Sequence, residues 1–184
     1  MSLSNYAIVT LPDTKGFLKV DNNDDDSLIE MLIETATKKT ADYCNSQWIM
    51  REFEEVHIGD GKTKLYLYRQ PVISVESVTV DGEAYTDYTE RLSGGYLVGS
   101  WTKEAEIIVT YTAGYIEWDS SADINTVIPE ACLAVLDCVA EWYNNRIGIK
   151  TESVSGIGQV TYNDEYDLPQ SAKAKLSGLR KSLL

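Results

Sequence analysis

The sequence has a single histidine, three cysteines, and no apolar run of the roughly 18 residues that a membrane-spanning helix needs. One histidine, His57, excludes a histidine-rich metal site. The cysteines are Cys44, Cys132 and Cys138. Their odd number and wide spacing point to reduced thiols in a cytosolic setting, buried as small apolar residues. Cys132 and Cys138 would lie about 600° apart around one helix, facing different ways, and make no metal pair. The N-terminus lacks the basic, apolar, cleavable layout of a secretion signal. Basic residues are scarce as well: 16 Lys and Arg stand against 29 Asp and Glu, for a net charge of −13. Proteins that hold nucleic acid by neutralising phosphates are basic where they touch it, so this balance argues against that class. There is no internal repeat and no low-complexity tract.

What is present is the make-up of a globular domain: 184 residues, 43% hydrophobic and 24% charged. One domain over 1–184 is expected. Thr10-Leu11-Pro12-Asp13 reads as a helix start, with Thr as cap, Pro in the first turn and Asp at the positive end. It predicts a helix over about 11–20 carrying Leu11, Phe17 and Leu18. Asp21 to Asp26 forms a polar hinge. Ser27-Leu28-Ile29-Glu30 is a capping box, opening an amphipathic helix over about 27–45 with Ile29, Leu32, Ile33 and Ala36 on one side. From about 48 to 116 the period becomes two. Runs rich in Val, Ile, Thr and Tyr alternate with turn chemistry at Gly59-Asp60-Gly61, Asp81-Gly82 and Ser93-Gly94-Gly95. Pro71 belongs at a strand entry. After Val109-Thr110-Tyr111-Thr112-Ala113-Gly114-Tyr115, Pro129 opens a helix over about 129–145 that is apolar on nearly every side and must be covered by protein. A flexible loop over about 147–168 and a last helix over about 169–183, with Ala172, Leu176, Leu179 and Leu183 on one side, complete the chain. The expected fold is α+β: mainly an α-helical bundle of about four helices with an inserted small antiparallel β region.

Several constellations invite a chemical reading. Asp21-x-Asn23-x-Asp25 resembles the opening of a calcium loop, but Asp26 and Leu32 stand where Gly and Glu are needed. An acidic lead-in to a helix explains the run. Asp137 and Glu141 lie four apart on one helix. A polar edge toward solvent or another subunit suits them better than a pair of catalytic carboxylates, which must face each other across a substrate. His57 sits in a strand-like run, and no Ser stands in a nucleophile elbow. Gly156-Ile157-Gly158 lacks the third glycine of a dinucleotide fingerprint. Its apolar neighbours, with Ile157 and Tyr162, suggest a loop ordered by another subunit. The tyrosines and tryptophans come with acids rather than bases, which suits packing better than base stacking. Lys173, Lys175, Arg180 and Lys181 flank the apolar stripe of the last helix. They are either a solvated face with cations near the negative helix end or a docking element for an acidic groove. No catalytic residue, cofactor or metal is assigned.

An ordered set of segments carries a resemblance. It comprises Val9-Thr10-Leu11 through Lys15-Gly16-Phe17-Leu18-Lys19-Val20-Asp21, Asp25-Asp26-Ser27-Leu28-Ile29-Glu30-Met31-Leu32-Ile33, and Pro71-Val72-Ile73-Ser74-Val75-Glu76-Ser77-Val78. The stretch ending at Tyr115, Ile128-Pro129 and Trp142-Tyr143-Asn144-Asn145-Arg146 follow. Together they resemble the head–tail connector (adaptor) proteins of long-tailed bacteriophages. The resemblance implies a non-enzymatic structural protein that forms a homo-oligomeric ring of about a dozen subunits under the portal protein. Such a ring extends the DNA channel, lets DNA pass without sequence-specific binding, and offers a docking surface to a tail or tail-completion protein. It implies a place at the head–tail junction of the virion, and in the host cytoplasm during assembly, with no membrane. The alternatives are another phage neck, tail or baseplate accessory module, or a small hydrolase.

Overall fold

The computed structural model describes residues 3–4, 6–117, 127–144, 151–154, 158–161 and 167–180, without the side chains of 151–154 and 158–161. The helices are α1 (Leu11–Leu18), α2 (Asp26–Cys44), α3 (Pro129–Asn144) and α4 (Gln170–Leu176). The strands are β1 (Arg51–Ile58), β2 (Lys64–Tyr66), β3 (Val72–Val80), β4 (Glu83–Ala84), β5 (Tyr88–Arg91), β6 (Tyr96–Gly99), β7 (Glu106–Ala113), β8 (Thr151–Val154) and β9 (Gly158–Thr161). The chain divides into two compact units, Met1–Thr40 with Ile124–Gly178, and Ala41–Asp123 with Leu179–Leu184.

The first unit is built on helices. Thr10 caps α1: its Oγ1 accepts the Asp13 backbone N–H at 3.2 Å. The buried residue of α1 is Thr14, while Phe17, read as part of its apolar set, is largely exposed. Lys19, with φ 58°, closes the helix as the N–H groups of Lys19 and Val20 return to Gly16 and Lys15. α2 starts at Asp26, so Ser27 lies in the first turn and is not the cap; Asp26 itself suits the positive helix end. Ile29, Leu32, Ile33 and Ala36 are buried, as the three-and-four spacing requires. α3 buries Ala131, Cys132, Ala134, Val135, Cys138, Val139 and Trp142 and packs on α1 and α4. Its exposed residues include Glu130, Leu133 and Glu141. α4 buries Ala172 and Leu176 fully, and a buried leucine is worth roughly 1.5–3 kcal/mol. The helix stops at Leu176, short of the expected 183. The Ser177 hydroxyl donates to the Ala174 carbonyl at 2.8 Å, and Gly178 follows. Both residues disfavour helix continuation. Within the expected flexible loop, β8 and β9 form an antiparallel pair from Thr151↔Thr161 to Val154↔Gly158.

The second unit is a sandwich of two antiparallel sheets, with strand orders β1-β7-β3-β4 and β2-β6-β5. Leu65 and Leu97 from the smaller sheet, and Leu67 just after β2, share one core with Val72, Val78, Ile107, Val109, Tyr111 and Ala113 from the larger, and Trp101 joins them. Alternation along β7 puts its four core residues inward and Ile108, Thr110 and Thr112 outward. Asp81 and Gly82 both have positive φ, 50° and 84°, the pairing a two-residue type I′ hairpin needs. The last turn of α2 opens this unit. Asn45, with φ 50°, ends it as Ser46 N–H bonds to Ala41 O at 3.0 Å.

These observations overturn the expected mainly helical bundle with a small inserted β region. Nine strands and four α-helices lie among the described residues, and seven of the strands form a unit with its own core. The short strands β5 and β6, of four residues each, are too brief to show a period in the sequence. They complete the second sheet that turns an insertion into a sandwich.

Candidate functional site

In the second unit, β1 and β7 bring Glu55, His57 and Tyr111 together around one carboxylate. The Tyr111 hydroxyl donates to Glu55 Oε1. The other oxygen accepts the Tyr68 backbone N–H at 3.0 Å and lies 3.1 Å from His57 Nε2. Arg69 N–H donates to the Tyr111 oxygen at 3.0 Å, and the His57 ring lies 4.7 Å from that of Tyr68. Burial pushes the Glu55 pKa up, but the hydrogen bonds from His57, Tyr111 and Tyr68 outweigh it and hold it below the usual value. The Tyr111 phenol moves the other way, first through burial and then through the Glu55 carboxylate. Beside the cluster, a cavity of about 410 Å³ is lined by Asp42, Asn45, Phe53, Glu55, Tyr68 and Arg69. Asp42 and Arg69 are paired at 2.8 Å. Both Glu55 oxygens are thus engaged by the protein itself. The carboxylate ties β1, β7 and the segment at 68–69 together, and His57 meets a glutamate and a tyrosine rather than a serine nucleophile.

The basic C-terminal residues are engaged too. In the first unit, Lys173 pairs with Asp167 at 2.9 Å and Lys175 pairs with Asp137. The Asp137–Glu141 stripe is therefore split: Asp137 meets α4 of its own chain and Glu141 is exposed. In the second unit, the Arg180 guanidinium lies 5.1 Å from the centre of the Tyr43 ring. Lys181, Ile157 and Tyr162 lie outside the described residues. The acidic lead-in to α2 holds an internal cation: Lys15 Nζ donates to Asn23 Oδ1 at 2.6 Å and to Asp26 Oδ1 at 2.7 Å. Tyr143 OH donates to Asp25 Oδ2 at 2.6 Å. All three cysteines are buried and outside any disulfide, with burial pushing Cys44 up to about 11 and Cys138 up to about 12. No cluster of metal-ligating side chains, and no helix long and apolar enough to cross a membrane, occurs among the described residues.

The Glu55–Tyr111 cluster is invisible to sequence spacing because its members are up to 56 residues apart. The repeating Glu and Tyr of β1 and β7 were legible as strand residues; their meeting was not.

These contacts form anchors and faces, with no assembled catalytic centre among the described residues. A family model described as head completion protein matches residues 7–181. The chain belongs to this family. Three solved structures share the fold of this chain over its whole length and over 94% of their own chains. One is described as the neck of an empty gene transfer agent particle computed with C6 symmetry, with 13% identity and a TM-score of 0.68. The others are the virion of a native gene transfer agent particle and the neck of the native particle computed with C12 symmetry. Each is 12% identical, with TM-scores of 0.67 and 0.65. No curated protein matches. Family membership agrees with the connector resemblance carried by the ordered segments of the sequence.

Proposed function

We propose that this chain is a structural head–tail connector. It assembles as an oligomeric ring of about a dozen subunits beneath the portal, extends the DNA channel and offers the tail a docking surface. The observation that carries this reading is the head completion family match over 7–181. The full-length likeness to proteins from particle necks computed with C6 and C12 symmetry supports it. A charge of −13 per subunit suits a channel through which DNA must slide without sticking. The protein works without catalysis, in the virion neck after assembly in the host cytoplasm. Portal contact runs through the basic C-terminal residues. Because Lys173 and Lys175 are already paired internally, an acidic portal groove would have to exchange those partners.

The test is particle production in the absence of this protein. DNA-filled heads without tails should accumulate, and supplying the full chain in trans should restore tailed particles. Normal yields of tailed particles without it would overturn the reading. For the portal contact, reversing Lys173 and Lys175 to Glu is cleaner than deleting 169–184, because deletion would also strip the buried Ala172 and Leu176 from the first unit.

A further inference from the structure

The two sheets of the second unit present opposite charge on their outward faces. In the larger sheet, Glu52, Glu54 and Val56 stand opposite Thr112, Thr110 and Ile108, and Ile58 stands opposite Glu106. The neighbours Ile107, Val109 and Tyr111 point into the core, so these residues point out. Glu76 joins them, since its Oε1 accepts from the hydroxyls of Ser74 and Thr112 at 2.6 and 2.9 Å. Val56 and Ile58 are 54% and 63% exposed, a high value for large apolar side chains on an edge strand. Arg51, the one Lys or Arg in these four strands, places its guanidinium over the inward-leaning Phe53 ring at 4.7 Å. The outward face therefore combines four carboxylates with an apolar centre.

The smaller sheet carries the complement. Lys64 and Thr89 flank Val98, and Tyr66 and Arg91 flank Tyr96. Leu65 and Leu97 point inward, so this set points out. The Tyr66 and Tyr96 rings lie 5.3 Å apart, with Lys64 Nζ 4.8 Å above Tyr96. Glu90 pairs with Leu97 and belongs to the other side of the sheet. The outward face is basic and aromatic on a chain that is otherwise strongly acidic, and Tyr and Arg are the residues that interfaces favour.

The inner faces share one core, so the two outward faces look away from each other. Two different patches that complement each other on opposite sides of one molecule generate a head-to-tail contact, which closes into a ring when the rotation permits. A net charge of −13 repels another copy in most orientations, and juxtaposing these two faces escapes that repulsion. We propose that the Glu52–Glu54–Val56–Ile58 face of one subunit seats on the Lys64–Tyr66–Tyr96–Arg91 face of the next. The proposal rests on the ring reading above and assigns the surface through which neighbours in that ring meet.

The test uses full-length chains mixed with the portal, with assembly followed by light scattering and negative-stain imaging. One variant carries Glu52→Lys and Glu54→Lys; the other carries Lys64→Glu and Arg91→Glu. Wild type should form rings, and each variant alone should assemble about tenfold less well or worse. An equimolar mixture should recover, because each reversed face then meets a matching neighbour in alternation; that recovery also excludes misfolding. If wild type forms rings and either variant does so equally well, or the mixture fails to recover, the face assignment is overturned while the ring reading stands. If wild type forms no ring with the portal, the ring reading falls and this contact with it.

Discussion

Tyr111 donates its hydroxyl hydrogen to Glu55, and the same hydroxyl oxygen accepts the backbone N–H of Arg69. One side chain of β7 thus joins a carboxylate on β1 to the loop before β3. Replacing Tyr111 with Phe keeps the ring in the core but leaves a largely buried carboxylate oxygen and a backbone N–H without this partner. The expected loss is about 1–3 kcal/mol, measured as a lower urea midpoint with an unchanged slope.

The same carboxylate sets an acid dependence. The folded pKa of Glu55 lies below its ordinary value of 4.5. A group with a depressed folded pKa contributes stability above its unfolded pKa and loses it as pH falls through the folded value. Stability should therefore decline below about pH 4.5, more shallowly in Glu55→Gln than in wild type. Equal slopes in urea titrations across that range would contradict this.

Lys175 and Asp137 hold α4 on α3 through a partly exposed pair. Such pairs contribute modestly, so a double-mutant cycle with Lys175→Met and Asp137→Asn should give a coupling of about 1 kcal/mol or less. Hydrogen exchange in α4 should rise in both single variants, and the coupling should shrink in 1 M salt, where the screening length is about 3 Å.

Gly114 has φ 147°, and a Cβ there would lie 2.4 Å from Met50 Cα. The clash is with backbone, which cannot swing aside. Gly114→Ala should cost about 2 kcal/mol or more, read from thermal unfolding of the full chain.

Thr37 Oγ1 is buried without a hydrogen-bond partner. Thr37→Val preserves shape and removes the unsatisfied hydroxyl, so stability should rise by about 1 kcal/mol. A clear destabilisation in the same assay would show that the hydroxyl is satisfied in solution.

Local signals were legible where local physics decides. Thr10 caps α1, Asp81-Gly82 makes the tight hairpin turn, and Pro71 stands just ahead of β3. Spacing also identified the buried face of α2 and the covered helix α3. What failed depended on distant partners. The four-residue strands β5 and β6 acquire meaning only when the sheet around β2 closes over Leu97. The last helix looked long because leucines continue its apolar spacing, yet Ser177 bonds back to the chain and ends it. The basic residue Lys175 looked available because nothing in its neighbourhood announces Asp137, 38 residues earlier.

The buried thiols bear on how long such a protein can last. Burial raises Cys44 to about 11 and Cys138 to about 12, so both stay overwhelmingly protonated thiols at neutral pH. Oxidants and disulfide exchange act through the thiolate and need access to the sulfur, and burial denies that access at all three. The fold draws none of its stability from a disulfide among these cysteines and leaves none of the three thiols at the surface. A subunit made in a reducing cell therefore keeps its three thiols shielded when it meets an oxidising medium.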